Sequence, residues 1–411
     1  MRRAALYICY YHITDPLVES QVVAYLRGLA AQGIEMHLLT FERQQLSAKQ
    51  QEEIRARLEA GGIRWHHLRY HQRPSLPATL YDVLAGTLTA ARICRRHGIR
   101  LIHARSHVPG AMALLLKRMM GCQFLFDLRG LMAEEYLDAG RWTEGDIKFR
   151  LTKRMERVFL READALVMLT QRIKDDLTVT EPALAGRNGA LQVIPCCVDL
   201  DRFHVSDAER EAYRDARGWT GRKVLVYLGK VGTWYRPDAM AGFFRALQAR
   251  EPRAFFQVLT QDDPAPILQA LTGAGAQPAD FDIRYSRPAE LPLVLSAADA
   301  SISFRAGEYS KRAASPTKVG ECLAAGLPVV TNAGIGDCDE LLGANGAGVT
   351  LTGFSEPEYA RGAGVLLELL DDPEVRRRCR HLAEVQLGLE QVGRVRYGRL
   401  YTQLLQNMSP E

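Results

Sequence analysis

No apolar run in the 411-residue chain approaches the roughly 20 residues needed to span a bilayer, so no segment is a candidate membrane-crossing helix. Cysteine is sparse and without pattern. The eight cysteines (Cys9, Cys94, Cys122, Cys196, Cys197, Cys322, Cys338, Cys379) form neither CxxC nor Cys/His spacings and read as buried thiols in a reducing cytosol. Excess charge is small and spread out, at +5, which argues against a dedicated nucleic-acid protein. The sequence has no repeats, no low-complexity segment, no P-loop and no GxGxxG. Met1-Arg2-Arg3 followed by Ala4 to Tyr11 imitates a signal peptide. That apolar run is short, however, and leads into His12, Asp15 and Glu19 rather than a small-residue cleavage site, so a first strand is the better reading.

Apolar residues make up 47% and charged residues 25% of the chain, enough for about two domains of roughly 100 to 200 residues each. Short apolar runs alternate with longer helical patterns: Ala5 to Cys9, Val18 to Gln32, Met36 to Thr40, Leu101 to Ala104, Gly110 to Met119 and Phe124 to Asp127. This βαβ rhythm implies parallel sheet. A helix from Ile147 to Glu162 leads to a strand at Ala165 to Leu169, and Val193-Ile194-Pro195 closes the first half. The rhythm restarts at Val224 to Leu228, continues through Phe255 to Thr260 and Ala300 to Phe304, and ends near Val349. A last amphipathic helix spans Leu387 to Leu405.

Ser315 to Val330 reads as a strand-flanked helix with both ends marked. Ser315 is the expected N-cap, Pro316 the first helical residue, and Gly326 with Pro328 the stop. Lys318 then falls in the first turn, where the helix dipole disfavours a cation by roughly 0.3 to 1 kcal/mol. An anion at that terminus would reverse the sign, since free amides, dipole and ammonium would converge on one phosphate. Glu321 shares the face.

In open parallel sheets ligands bind beyond the carboxyl ends of strands, so the loops that follow strands are the informative ones. After Val224 to Leu228, Gly229 and Gly232 permit close backbone approach while Lys230 and Arg236 supply charge. Lysine is scarce beside arginine, which makes Lys230 and Lys318 in two such loops notable. Asp127 and Arg129 follow another strand, as an acid and a base projecting into the same cleft or as a structural ion pair. His103 and His107 flank a strand end, where they either touch substrate or serve core and capping roles. Arg150, Lys153, Arg154, Arg157 and Arg161 form a basic stripe opposite Ile147, Leu151, Met155, Val158 and Phe159; it suits an anionic lipid surface or a solvated face over a buried one.

Taken together these motifs resemble the GT-B glycosyltransferases of retaining family 4, particularly those that build bacterial surface polysaccharides. Val193 to Phe203 is similar to the family's interdomain signature, with Cys196-Cys197 where Asn-Gly is usual. Phe126-Asp127-Leu128-Arg129-Gly130, the Ser315 to Val330 run and the ending Tyr397-Gly398-Arg399-Leu400-Tyr401 carry the rest. The resemblance implies an α/β fold of two Rossmann-like domains whose parallel sheets face a central cleft. Residues 1–203 would be the acceptor-side domain, 204–385 the nucleotide-sugar domain, and 386–411 a terminal helix crossing back onto the first.

By resemblance, Glu321 matches the second glutamate of a Glu-x7-Glu motif that holds the nucleotide ribose, while the first glutamate is replaced by Ala313. The catalytic-region histidine is replaced by Phe126, and the usual Gly-Gly loop after the first strand by Thr14 to Ser20. The expected function is retaining transfer of a sugar from a nucleoside diphosphate donor to a glycan or lipid-linked glycan acceptor. Asp127, Arg129, Lys230 and Lys318 would serve catalysis; Gly229, Lys230, Arg236, Ser315, Thr317, Lys318 and Glu321 would bind donor; His103, His107, Asp127 and Arg129 would touch sugar or acceptor. The resemblance implies no cofactor and no metal, and no DxD-like acidic pair is placed to demand one. The expected setting is the cytoplasm, at the inner face of a membrane. Alternatives are a non-hydrolysing nucleotide-sugar epimerase, which shares the architecture, and a catalytically degenerate nucleotide-sugar-binding protein.

Overall fold

The computed structural model describes residues 3–232, 234–306 and 309–407. The chain forms two compact units, one from the residues up to Pro195 together with those from Leu389 onward, the other Cys196–Gly388. Inside the second unit the Val198 amide donates to the Leu387 carbonyl, joining the outgoing and returning segments.

Strands β1 (Ala4–Cys9), β2 (Glu35–Glu42), β3 (Ile63–Arg69), β4 (Leu101–Arg105), β5 (Gln123–Leu128), β6 (Ala165–Met168) and β7 (Leu191–Val193) build the first sheet. Its order is β3-β2-β1-β4-β5-β6-β7, all parallel. Helices cover both faces of such a sheet, so its strands read as continuous apolar runs rather than alternating ones, as in the fully buried Ala4–Cys9. The register sets Cys9 beside Arg105 and Arg105 beside Asp127, which gathers charged side chains at the carboxyl ends of the central strands. Phe126 packs on Phe124 and Phe159 in the core below.

The second sheet contains β8 (Val224–Leu228), β9 (Phe255–Leu259), β10 (Phe281–Arg284), β11 (Ala300–Ser303), β12 (Val329–Asn332) and β13 (Gly348–Leu351), in the parallel order β10-β9-β8-β11-β12-β13. Two apolar clusters sandwich it, one holding Trp219 and Leu323, the other Phe243, Phe256 and Phe304. Each such side chain contributes roughly 1.5 to 3 kcal/mol when fully buried. Because β8 lies beside β11, the loops that follow them meet, and Tyr235 bridges Arg305 in antiparallel fashion.

Two expected helices are interrupted. Val18 to Gln32 is an α-turn (Pro16–Val18), a π-segment (Glu19–Val23) and an α-helix (Ala24–Ala31), started by Asp15, whose carboxylate accepts from the Leu17 amide. The last helix is broken at Gly388, which is extended (φ −65°, ψ 130°), and resumes at Leu389–Arg394 and Val395–Gln406 as part of the first unit. Among the described residues no helix is long and apolar enough to cross a membrane.

Candidate active site

In the second unit the cluster is built from the loops after β8 and β11 and the helix Thr317–Ala324. The sequence expectation for this helix start is corrected in one respect. Pro316, not Ser315, occupies the N-cap, with no side-chain cap bond, because the Ser315 hydroxyl accepts from the Cys196 amide at 3.0 Å instead. The first turn therefore keeps its dipole without a side-chain oxygen on it. The stop is as expected: Gly326 is left-handed (φ 78°), and the Gly326 and Leu327 amides close back onto Leu323 and Cys322.

Lys318 points into the meeting point of these loops. Its Nζ donates to the Tyr235 hydroxyl at 2.9 Å and lies 4.2 Å from the Tyr235 ring centroid and 5.4 Å from that of Tyr227. Gly229, at φ 144°, forms the floor under this side chain; a Cβ there would coincide with the Lys318 ammonium. Burial holds the Lys318 pKa below the ordinary lysine value, against the opposing pull of Tyr235. Burial would push the Tyr235 phenol up, but Lys318 and Arg305 outweigh it and hold it below its usual range. Arg305, which sequence reading missed, lies 5.3 Å from the same ring, and its buried Nε has no hydrogen-bond partner among the described residues. Three features thus concentrate positive potential in one place: two cations and an uncapped helix start.

One turn along the helix, Glu321 is half-buried, and its carboxylate has no hydrogen-bond or ion-pair partner among the described residues. Burial raises its pKa, partly offset by Arg202 and Lys318. An acceptor-only group in this state is suited to neighbouring hydroxyls. Thr317 opens the same helix. Lys230 is exposed, and its carbonyl accepts the Tyr227 hydroxyl. Arg236 is turned to its own neighbour: it pairs with Asp238 at 2.7 Å and lies over the Phe354 ring, which removes its charge from the cluster. Ala313 is buried.

In the first unit the carboxyl ends of β4 and β5 carry a buried ionic cluster centred on Asp127. Its Oδ2 accepts from the Tyr397 hydroxyl at 3.2 Å and lies 3.5 Å from His103 Nε2 and 3.7 Å from Arg105 Nη1; its Oδ1 faces Arg129 at 3.5 Å. His103 Nδ1 meets the Tyr401 hydroxyl at 2.8 Å. Burial alone would raise the Asp127 pKa, yet Arg129, His103 and Arg105 hold it down at about 2. Burial keeps His103 below its usual value. His107 is likewise enclosed, 2.9 Å from Glu156, which also binds Lys153. Of the four residues expected to touch sugar or acceptor, Asp127, His103 and His107 are therefore buried, with His103 Nε2, His107 Nδ1 and Asp127 Oδ1 lacking a hydrogen-bond partner among the described residues, and Arg129 alone is half-buried. Beside them Ser106 takes a left-handed φ of 70°, and its amide donates to the Asp127 carbonyl. Such strain in a non-glycine residue at a strand end commonly marks a functional loop.

Residues 18–197 match a family model described as a glycosyl transferase 4-like domain. No curated protein matches by sequence. Among solved structures, sucrose-phosphate synthase from Thermosynechococcus elongatus is similar at a TM-score of 0.73 and 15% identity, over 99% of this chain and 100% of that one. Anabaena HepE, solved with UDP and glucose, gives 0.68 and 14% over 98% and 100%. WaaG, described as a glycosyltransferase involved in lipopolysaccharide biosynthesis, gives 0.66 and 16% over 99% and 100%. These likenesses run over both units and show that the chain shares the two-sheet GT-B fold of those proteins, while the glycosyl transferase 4-like match is confined to residues 18–197.

Proposed function

We propose that the protein transfers a sugar from a nucleoside diphosphate sugar to a glycan or lipid-linked glycan acceptor, with retention of configuration, in surface-polysaccharide synthesis. The observation that carries the reading is the convergence of Lys318, Arg305 and an uncapped helix start on Tyr235, with an unpartnered Glu321 one turn away. Negative charge grows on the diphosphate as the glycosidic bond breaks, and fixed cations and amides lower the barrier most at that point. Lys318, the Thr317 and Lys318 amides, Arg305 and, from the exposed loop, Lys230 are assigned to the diphosphate; Glu321 takes the ribose hydroxyls. Gly229 leaves the backbone low enough for this approach, while Ser315 and Arg236 position their own segments.

In this mechanism the departing phosphate takes the acceptor's proton, so no separate base is required. Arg129 is the group of the first unit assigned to sugar or acceptor, with buried Asp127 as its positioning anchor. The likeness to HepE, solved with UDP and glucose, supports a nucleotide-sugar donor, and that to WaaG supports an envelope role.

Contact with the inner face of a membrane is part of the proposal. It is supported by Leu76, Leu80, Leu84 and Leu88, exposed at four-residue spacing along the helix Ser75–His97, and by Ile147 and Leu151, exposed beside Arg150 and Arg154 on Ile147–Glu162. Both helices pack on the intervening helix His107–Met120 in one layer.

A thermal-shift panel of UDP, GDP and their sugars tests donor binding, since a ligand at 100 times its dissociation constant stabilises by about 2.7 kcal/mol. Stabilisation by one nucleotide family, lost in Lys318→Ala and Glu321→Gln, is the expected result. No stabilisation by any of them overturns the donor assignment, and donor turnover without acceptor points to epimerisation instead.

A further inference from the structure

Three histidines outside the active site converge at the opposite end of the first sheet. Glu35 and His37 lie in the first half of β2, Arg64 and His66 in the first half of β3, and His97 ends the helix Ser75–His97 that leads into β4, so all lie at the amino-end edge of the parallel sheet, opposite the edge where β4 and β5 carry Arg105 and Asp127. His37 Nε2 is 3.3 Å from Glu35 Oε1, which in turn is 4.0 Å from His97 Nδ1, and the three donor atoms all lie within 4.8 Å of one another. The His37 side chain is fully buried.

We propose that Glu35, His37 and His97 form a binding site for a divalent transition-metal ion of the zinc type, and that the Arg64 guanidinium stands in for that ion in its absence. Two imidazole nitrogens and one carboxylate oxygen are a borderline donor set, suited to zinc, with water completing a tetrahedron on the open side. Bonds of about 2.0 to 2.1 Å put tetrahedral donors about 3.3 Å apart, so His37 and Glu35 are already at ligand spacing and only His97 must move inward.

Arg64 identifies the spot as one that attracts a cation. Its Nη1 lies 2.8 Å from Glu35 Oε1 and 3.3 Å from His97 Nδ1, so a single N–H group already engages two of the three donors. The Arg64 side chain is 53% exposed and can swing into solvent when an ion enters. His66 completes the arrangement from behind. Its Nε2 lies 3.0 Å from His37 Nδ1, the atom left over when Nε2 binds metal, and so fixes the ring as an outer-shell partner does. The ion would tie the amino ends of β2 and β3 to the end of the 75–97 helix, far from the chemistry, and its effect is on stability.

The test is titration of the chelator-stripped full-length protein with cobalt(II), whose visible absorption reports tetrahedral nitrogen–oxygen coordination, followed by displacement with zinc chloride. One equivalent bound by the wild type is expected. His97→Gln should weaken binding at least ten-fold, and Arg64→Gln should tighten it several-fold, because the competing cation is gone. Added zinc should raise the melting temperature of the wild type but not of His97→Gln, whose position at a partly exposed helix end spares the fold. No cobalt binding by the wild type, binding that survives His97→Gln, or binding that weakens in Arg64→Gln overturns the proposal. None of these readouts depends on transferase activity, so failure here leaves the reading of the active site untouched.

Discussion

Lys318 crosses directly over Gly229, filling the space a side chain there would occupy, and ends 2.9 Å from the Tyr235 hydroxyl. Gly229→Ala is predicted to fold and to lose donor affinity. The φ of 144° costs an alanine on the order of 1 to 3 kcal/mol, and the new methyl must displace the ammonium. Isothermal titration with the cognate nucleoside diphosphate should show at least a ten-fold loss, with near-wild-type circular dichroism. Unchanged affinity would mean that the position of Lys318 is irrelevant to the donor.

Removing the charge itself should cost more than removing its tether. A charge-assisted hydrogen bond is worth about 1.5 to 3 kcal/mol, so Lys318→Ala should weaken nucleotide binding roughly 10- to 100-fold. Tyr235→Phe keeps the ring 4.2 Å beneath the ammonium and should cost only a few-fold. Because burial lowers the Lys318 pKa, donor affinity should begin to fall with rising pH earlier than an exposed lysine would allow. Equal losses in both variants would show that the hydroxyl, rather than the charge, carries the contact.

Much of the scaffold was legible because central parallel strands are written as unbroken apolar runs: β8 falls on Val224–Leu228 as read. The edge strands were not. β3 places Arg64, His66 and His67 among its apolar residues, and β10 is only Phe281–Arg284, so neither stands out as an apolar run. Ser315 was misplaced for a different reason, as its local signal for a cap is sound but a distant amide, Cys196, claims the hydroxyl. Lys318 and Glu321 were readable from one segment. Arg305 and Tyr235 come together through the pairing of β8 with β11, and Tyr397 reaches Asp127 from the far end of the chain, so no local spacing announces either.

Asp127 makes the first unit acid-sensitive. Its folded pKa of about 2 lies below the ordinary 3.8, so the stabilisation it contributes is fully present above about pH 4 and is lost as pH falls towards 2. At 1.36 kcal/mol per unit that amounts to about 2 kcal/mol. Asp127→Asn also leaves Arg105 buried without its counter-charge, and breaking such a pair costs about 3 to 5 kcal/mol. Thermal unfolding across pH 7 to 3 should show the variant less stable at neutral pH and flatter in its acid limb. An equally steep acid limb would place the acid sensitivity elsewhere.

The exposed leucine ridge makes the membrane proposal testable apart from catalysis. Leu76, Leu80, Leu84 and Leu88 are each more than half exposed on one face of the helix Ser75–His97, and a folded chain gains nothing from leaving them in water. Each would gain up to roughly 1.5 to 3 kcal/mol if fully buried, and the neighbouring Arg150 and Arg154 add attraction to anionic headgroups. The protein should therefore co-sediment with vesicles containing phosphatidylglycerol and more weakly with neutral ones. Leu80→Glu with Leu84→Glu should reduce binding at least ten-fold, while Arg150→Glu with Arg154→Glu should remove mainly the salt-sensitive part. Both pairs lie on exposed positions, so melting temperatures should stay near that of the wild type, and nucleotide affinity in solution should not change. Vesicle binding that persists in the leucine double variant would show that the ridge is not the membrane-facing surface.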